Sequence, residues 1–177
     1  MLPIPPFVPQ PKVEGTTNVV HPHCWAAALS SWLAATPGRT NVSTDDLIKN
    51  FKDFTVGKSG ALNAKFFHKI AATPLVSMAW RVVEGKNLEE EYVNTLTGDT
   101  VLGGYVYAIL RPIGADEKAP SHARVIYGTW MGNAWAMDPM MGDTRWDFKN
   151  IKNFKLIIGM PATSAYIAFD KRWIMPA

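Results

Sequence analysis

Cys24, the sole cysteine of the 177-residue chain, stands in HPHCWAAALSSWLAA, directly ahead of a tryptophan and an alanine-rich run. These are good helix formers, so Cys24 falls in the first turn of a helix predicted over 24–35. Backbone N–H groups and the positive end of the helix macrodipole there favour thiolate over thiol. A thiolate attacks carbonyl carbon, and covalent catalysis then needs a proton-transfer partner. The chain has four histidines: His21, His23, His68 and His122. His21 and His23 share the short loop before the helix and cannot be oriented independently, and His68 lies within the helical pattern FFHKIA. His122 differs, because it opens the strand pattern HARVIYGTW after the loop GADEKAPS. Asp138 ends the return strand NAWAMD sixteen residues later. A hairpin brings its first and last residues to one end of a sheet, which makes His122 and Asp138 neighbours. A carboxylate on one imidazole nitrogen fixes the tautomer and leaves the other nitrogen to face sulfur.

Each residue also has a plainer reading. A lone cysteine is commonly a small buried hydrophobe. His122 could be a strand-end residue, and Asp138 could merely begin an Asp-Pro turn. The HPHC stretch offers metal-ligand types, but a structural zinc site needs four ligands and no second cluster exists, so neither metal nor cofactor is expected. Trp25 and Trp32 read first as core anchors at helical spacing.

The elements that must position these residues follow from pattern. The 24–35 helix stops at Thr36-Pro37-Gly38. A second begins in VSTDDLIKNF, where Ser43 and Asp46 form a capping-box pattern. Residues 61–71 and 87–96 read as two further short helices, the latter closed by Gly98. Strands are predicted over 76–83, 101–111, 122–130, 133–138, 154–160 and 165–170, with a hairpin around Met131-Gly132-Asn133. Gly103 and Gly104 suggest a bulge or close backbone approach. Helices first and antiparallel strands second make an α+β fold.

The bulk properties bound the function. The length suits one domain with a proper core, preceded by an arm over 1–15, with the domain over 16–177. MLPIPPFVPQPKV carries five prolines, which favour an extended arm on the surface. A net charge of +3, from 18 basic residues without a basic run, gives no nucleic-acid footprint. No run of about 18 apolar residues predicts a membrane span, and the first residues lack the pattern of a Sec signal peptide. The location expected is cytoplasmic, or outside by a leaderless route.

Cysteine-tryptophan at a helix start, a strand-opening histidine and an aspartate in a DP-x-x-G turn resemble the papain-like cysteine peptidases. The stretches CWAAALSSW, HARVIYG and DPMMG, with LEEEYVNTLTGDTVLGGYVYAIL before the histidine, are most similar to the compact bacterial branch. That branch includes double-glycine-leader peptidases and secreted effector proteases. The resemblance spans roughly residues 18 to 143 and implies a peptide or protein substrate, with Cys24 as nucleophile, His122 as acid and base, and Asp138 as orienter. It also implies a possible bacterial effector. Family members carry an oxyanion-binding glutamine about six residues before the cysteine; Asn18 stands there, beside a smaller part for Trp25. HARV and AMDP are also similar to transglutaminase-like acyltransferases, which would use the same triad with an amine acceptor. The departure at Asn18 keeps a third alternative open, a non-catalytic binding module on the same fold.

Overall fold

The computed structural model describes residues 1–11, 22–84, 104–116, 121–147, 153–164, 167 and 171–176. Among these, the helices are α1 (Cys24–Ala35), α2 (Thr44–Asn50) and α3 (Phe67–Ala71). The strands are β1 (Thr55–Val56), β2 (Ala61–Leu62), β3 (Met78–Glu84), β4 (Val106–Pro112), β5 (His122–Trp130), β6 (Asn133–Asp138), β7 (Gly142–Asp147) and β8 (Phe154–Pro161). Strands β1 and β2 form a small ribbon; the other six make one antiparallel sheet in the order β3-β8-β4-β5-β6-β7. The fold is α+β, with the helices gathered on one face of that sheet.

α1 is the hub of the core. Every residue from Cys24 to Leu33 is buried, the pattern of a helix covered on all sides. Its alanines allow close approach, and its two tryptophans anchor it. Trp32 Nε1 donates to Tyr105 O at 2.8 Å and Trp25 Nε1 donates to Gly60 O at 3.0 Å. From the sheet, the Tyr107 hydroxyl donates to Trp25 O at 3.0 Å. These bonds satisfy polar atoms that burial would otherwise penalise. Truncating either tryptophan to alanine removes a large side chain from a fully packed site, a change that typically costs about 3–5 kcal/mol.

Strand alternation divides the sheet. Tyr107, Ile109, Ala123, Val125, Tyr127 and Met137 pack with α1 in one cluster. Val106, Ala108, Leu110, Ile126, Ala136 and Trp146 belong to a second, together with Ile167 and Trp173. The C-terminal stretch covers that second face and pairs with the sheet edge through Trp80 and Ile174.

The capping-box expectation is met at α2, where Ser43 Oγ accepts from Asp46 N at 3.1 Å and donates to Asp46 Oδ2 at 2.7 Å. The helix expected over 61–71 is shorter: Ala61–Leu62 pair as strand β2, a 3-10 turn follows, and only Phe67–Ala71 is α-helical. β2 pairs with β1 and so takes those residues out of the helical pattern. β7 was absent from the sequence expectation, because GDTRWD buries only Trp146 and otherwise has the polarity of a loop. The helix expected over 87–96 lies outside the described residues, as does the strand over 165–170 except for Ile167.

The proline-rich segment runs against the domain. Leu2 N donates to Tyr127 O at 3.0 Å, and Pro3 O and Pro6 O accept from Tyr105 Oη at 3.0 Å and Ser31 Oγ at 2.7 Å. Gln10 N donates to Pro139 O at 3.2 Å. Among the described residues, no helix is long and apolar enough to cross a membrane.

Candidate active site

α1 begins at Cys24, and the N-cap residue His23 makes no side-chain capping bond. The thiol is 2% exposed, and Sγ donates to Ser121 O at 3.4 Å. That contact fixes the sulfur beside the start of β5, where Ser121 leads into His122. The His122 ring interacts with the Cys24 side chain, and its Nε2 lies 2.9 Å from Asp138 Oδ2. Three residues spread over more than a hundred positions of chain thus meet at one end of the sheet, sulfur next to imidazole next to carboxylate.

The register of the β5–β6 hairpin decides which face Asp138 joins. From the turn, Trp130 pairs with Asn133 and Gly128 with Trp135; the register then shifts so that Ile126 pairs with Ala136 and Val125 with Met137. Tyr127 is the extra residue of this bulge. Without it, Val125 would oppose Asp138 and carry the carboxylate to the α1 face, because a one-residue slip inverts a strand's sides. With it, Asp138 sits on the side of His122 and Arg124.

The charges of the site are coupled. Burial opposes a charged His122 ring, but the hydrogen bonds to Asp138 and Cys24, with their negative charges, outweigh it and raise the imidazole to about 9. Asp138 is 1% exposed. Burial alone would raise its carboxyl, yet the His122 hydrogen bond and charge, the Arg124 charge and the Met140 N–H hold it below the usual carboxylate range. Met140 N donates to Asp138 Oδ1 at 2.7 Å. Arg124 Nε stands 2.5 Å from Oδ2 but lacks hydrogen-bond alignment, so it acts there chiefly as a charge. The guanidinium also lies over the Trp146 ring, 4.0 Å from its centroid. Burial lowers the Arg124 pKa, partly offset by Asp138.

The other expected positions fall elsewhere. Asn18 and His21 lie outside the described residues. The Trp25 ring is 1% exposed within the core, so it walls the helix and presents no face to a cleft. His23 packs its ring against Gly60, where a Cβ would come 2.2 Å from Nε2. His68 bonds Lys65 O through Nδ1 at 2.9 Å, away from the triad. Among the described residues no group of three His, Cys, Asp or Glu side chains converges to hold a metal ion.

Two contributors escaped the sequence reading. Arg124 was legible in principle, because residues i and i+2 of a strand share a face and it follows His122 by two. The Met140 N–H was not legible, since only the turn geometry aims it. Gln10, in the proline-rich segment, donates its N–H to Pro139 O and is buried, its side-chain amide finding no partner among the described residues.

No protein-family model matches the chain, and no curated protein does. Among solved structures, the peptidase domain of Streptococcus ComA, a bifunctional ABC transporter involved in a quorum-sensing pathway, superposes with a TM-score of 0.50. The two are 16% identical, over 81% of this chain and 95% of that one. The fold is papain-like. A double-glycine-motif protease from an AMS/PCAT transporter, solved with its leader peptide, gives a TM-score of 0.48 at 20% identity, over 89% of this chain and 98% of that one.

Proposed function

We propose that this chain is a cysteine peptidase working through an acyl-enzyme on Cys24. The observation that carries the reading is the convergence of Cys24, His122 and Asp138: the sulfur sits on Ser121 O beside His122, the imidazole interacts with the cysteine side chain, and its Nε2 is held by the carboxylate at 2.9 Å. The peptidase-domain fold gives it a setting. The Cys24 thiolate attacks the amide carbonyl carbon, an S–C bond forms, and the carbonyl oxygen takes the negative charge. As the C–N bond breaks, the His122 imidazolium gives its proton to the departing amine. Water then attacks the thioester and loses a proton to His122; the acid leaves and the thiolate returns. Asp138 keeps the ring oriented and supports its charge.

The Cys24 backbone N–H, at the start of α1, is one proposed donor to the oxyanion, and the Asn18 side-chain amide is the other. Losing such a donor typically costs about 10²–10³ in turnover. The peptide substrate follows from the fold likeness. A role as a secreted effector rests on the sequence resemblance alone, and growth arrest of a host cell by the intact chain but not by Cys24→Ala would be its expected signature.

Iodoacetamide near neutral pH tests the site directly. Rapid alkylation of Cys24, slowed at least tenfold in His122→Ala, is the expected result. Equal, sluggish labelling in both chains would make the cysteine a packing residue. In the same series Asn18→Ala should keep rapid labelling but lose turnover, and an unchanged turnover would exclude Asn18 as the oxyanion donor.

A further inference from the structure

A groove of about 380 Å³ runs along the outer side of the His122–Asp138 pair, and none of the described residues of α1 lines it. Leu110 and Pro112 of β4, Phe154 of β8, and Met140 and Met141 of the turn after Asp138 form its walls. Asp138, Arg124 and the His122 imidazolium are the charged groups in those walls, and both cations are engaged with the one carboxylate. We infer that this groove is the subsite for the residue following the scissile bond, and that it selects a large apolar side chain there. The inference rests on the acyl-enzyme reading above.

The direction comes from the chemistry. His122 protonates the departing amine, so that amine must lie against the imidazole and not on the sulfur's far side. The amine carries the residue after the cut. A groove walled by the same imidazole and by Ser121 before it, with Asp138 and Met140 beyond and without Cys24, is placed to receive what the amine carries. The composition of the walls gives the selectivity. A charged side chain would lose its water and find the nearby ions already engaged. An apolar one exchanges water for Leu110, Phe154 and two methionines. Met140 and Met141 are exposed, and flexible thioethers adapt to different shapes. Leucine, isoleucine, methionine and phenylalanine therefore all fit the class, whereas glycine leaves the groove empty.

Microscopic reversibility offers a test that needs no natural substrate, because an amine attacking the acyl-enzyme occupies the leaving amine's position. p-Nitrophenyl acetate transfers its acetyl group to the Cys24 sulfur and releases p-nitrophenolate. With the thiolate charge gone, the ring releases its proton to solvent. An added amino-acid amide then competes with water for the thioester, its nitrogen forming the new C–N bond as the C–S bond breaks and its proton passing to the neutral His122. The N-acetyl amide is measured against acetate. Leucinamide and phenylalaninamide should capture the acyl group about tenfold or more better than glycinamide or aspartic acid α-amide, the scale that apolar pockets achieve. Phe154→Ala and Met141→Glu should each lower the leucinamide-to-glycinamide ratio, and since both amides are read within one variant, partial loss of folded protein cannot imitate that drop. A Cys24-dependent burst with equal capture of all amides, or a ratio indifferent to both substitutions, overturns the subsite and leaves the acyl-enzyme standing. Absence of a Cys24-dependent burst overturns both.

Discussion

Asp138 sets two oxygens against two hydrogen-bond donors and a charge: the Met140 N–H on Oδ1, His122 Nε2 on Oδ2, and the Arg124 guanidinium beside Oδ2. Two neighbouring cations offset the cost of burying one carboxylate, and the carboxylate in turn keeps the imidazole charged to about 9. That value sets a sign. A histidine raised in the folded state stabilises the fold fully below its unfolded value of about 6.5. The contribution fades as pH climbs and is gone above about 9. Asp138 runs the other way: its stabilisation is present above about 4 and is lost as pH falls through its depressed folded value. In the proposed mechanism, acylation by an amide needs the imidazolium, so its rate should fall on an alkaline limb near 9. Asp138→Asn keeps the side chain's shape and removes its charge, and should draw that limb down by about one pH unit or more. A pH profile of kcat/KM for an amide substrate, whose leaving amine needs the proton, measures the displacement between the two chains. A limb that stayed in place would mean the carboxylate does not govern the ring.

At the scale of elements, the β5–β6 hairpin positions two members of the triad, and its turn is strained where it need not be. Met131 occupies φ +48° and Gly132 φ +74°, between the paired Trp130 and Asn133. Two positive φ values are the demand of a tight hairpin turn, met best by asparagine followed by glycine. Methionine carries a Cβ penalty there, and at 83% exposure gains little from packing. Met131→Asn should therefore stabilise the chain by about 0.5–1 kcal/mol, seen as a higher denaturant midpoint at unchanged slope. An unaltered or lower midpoint would refute the strain. The same hairpin marks the limit of legibility. Its strand boundaries are written in the sequence, because HARVIYGTW and NAWAMD are short apolar, β-branched and aromatic runs on either side of MG, which must turn. The bulge at Tyr127 is not, since one residue added to a β-branched and aromatic run leaves the run looking the same. The meeting of His122 and Asp138 was thus foreseeable from hairpin ends, whereas the face they share was fixed by a register that composition does not encode. α1 was readable for the opposite reason: its signals, from the alanine run to Thr36-Pro37-Gly38, are local.

For the whole molecule, the N-terminal segment ties together parts that meet nowhere else in sequence. Its first eight residues bond β5 through Leu2, the start of β4 through Pro3 and Tyr105, and α1 through Pro6 and Ser31. Pro5 is buried, and the Met1 side chain lies against Gly128, where a Cβ would come 2.4 Å from its Cγ. Ser31 is itself fully buried, so losing Pro6 would either strand its hydroxyl or let water in behind the helix. Three such hydrogen bonds, at about 1 kcal/mol each net, together with the apolar contacts, suggest that deleting residues 1–8 costs about 3–5 kcal/mol. Chain entropy cuts this somewhat, since the freed segment no longer has to be ordered. The triad lies at the other end of β5, and Gln10, which docks on Pro139 beside it, stays in the shortened chain. Deletion should therefore lower the unfolding midpoint while ester turnover at a temperature well below it stays within about twofold of the parent. Urea unfolding and burst kinetics on the same preparation separate the two effects. An unchanged midpoint would show the segment to be merely resting on the surface, and a turnover loss in fully folded protein would make it part of the catalytic apparatus.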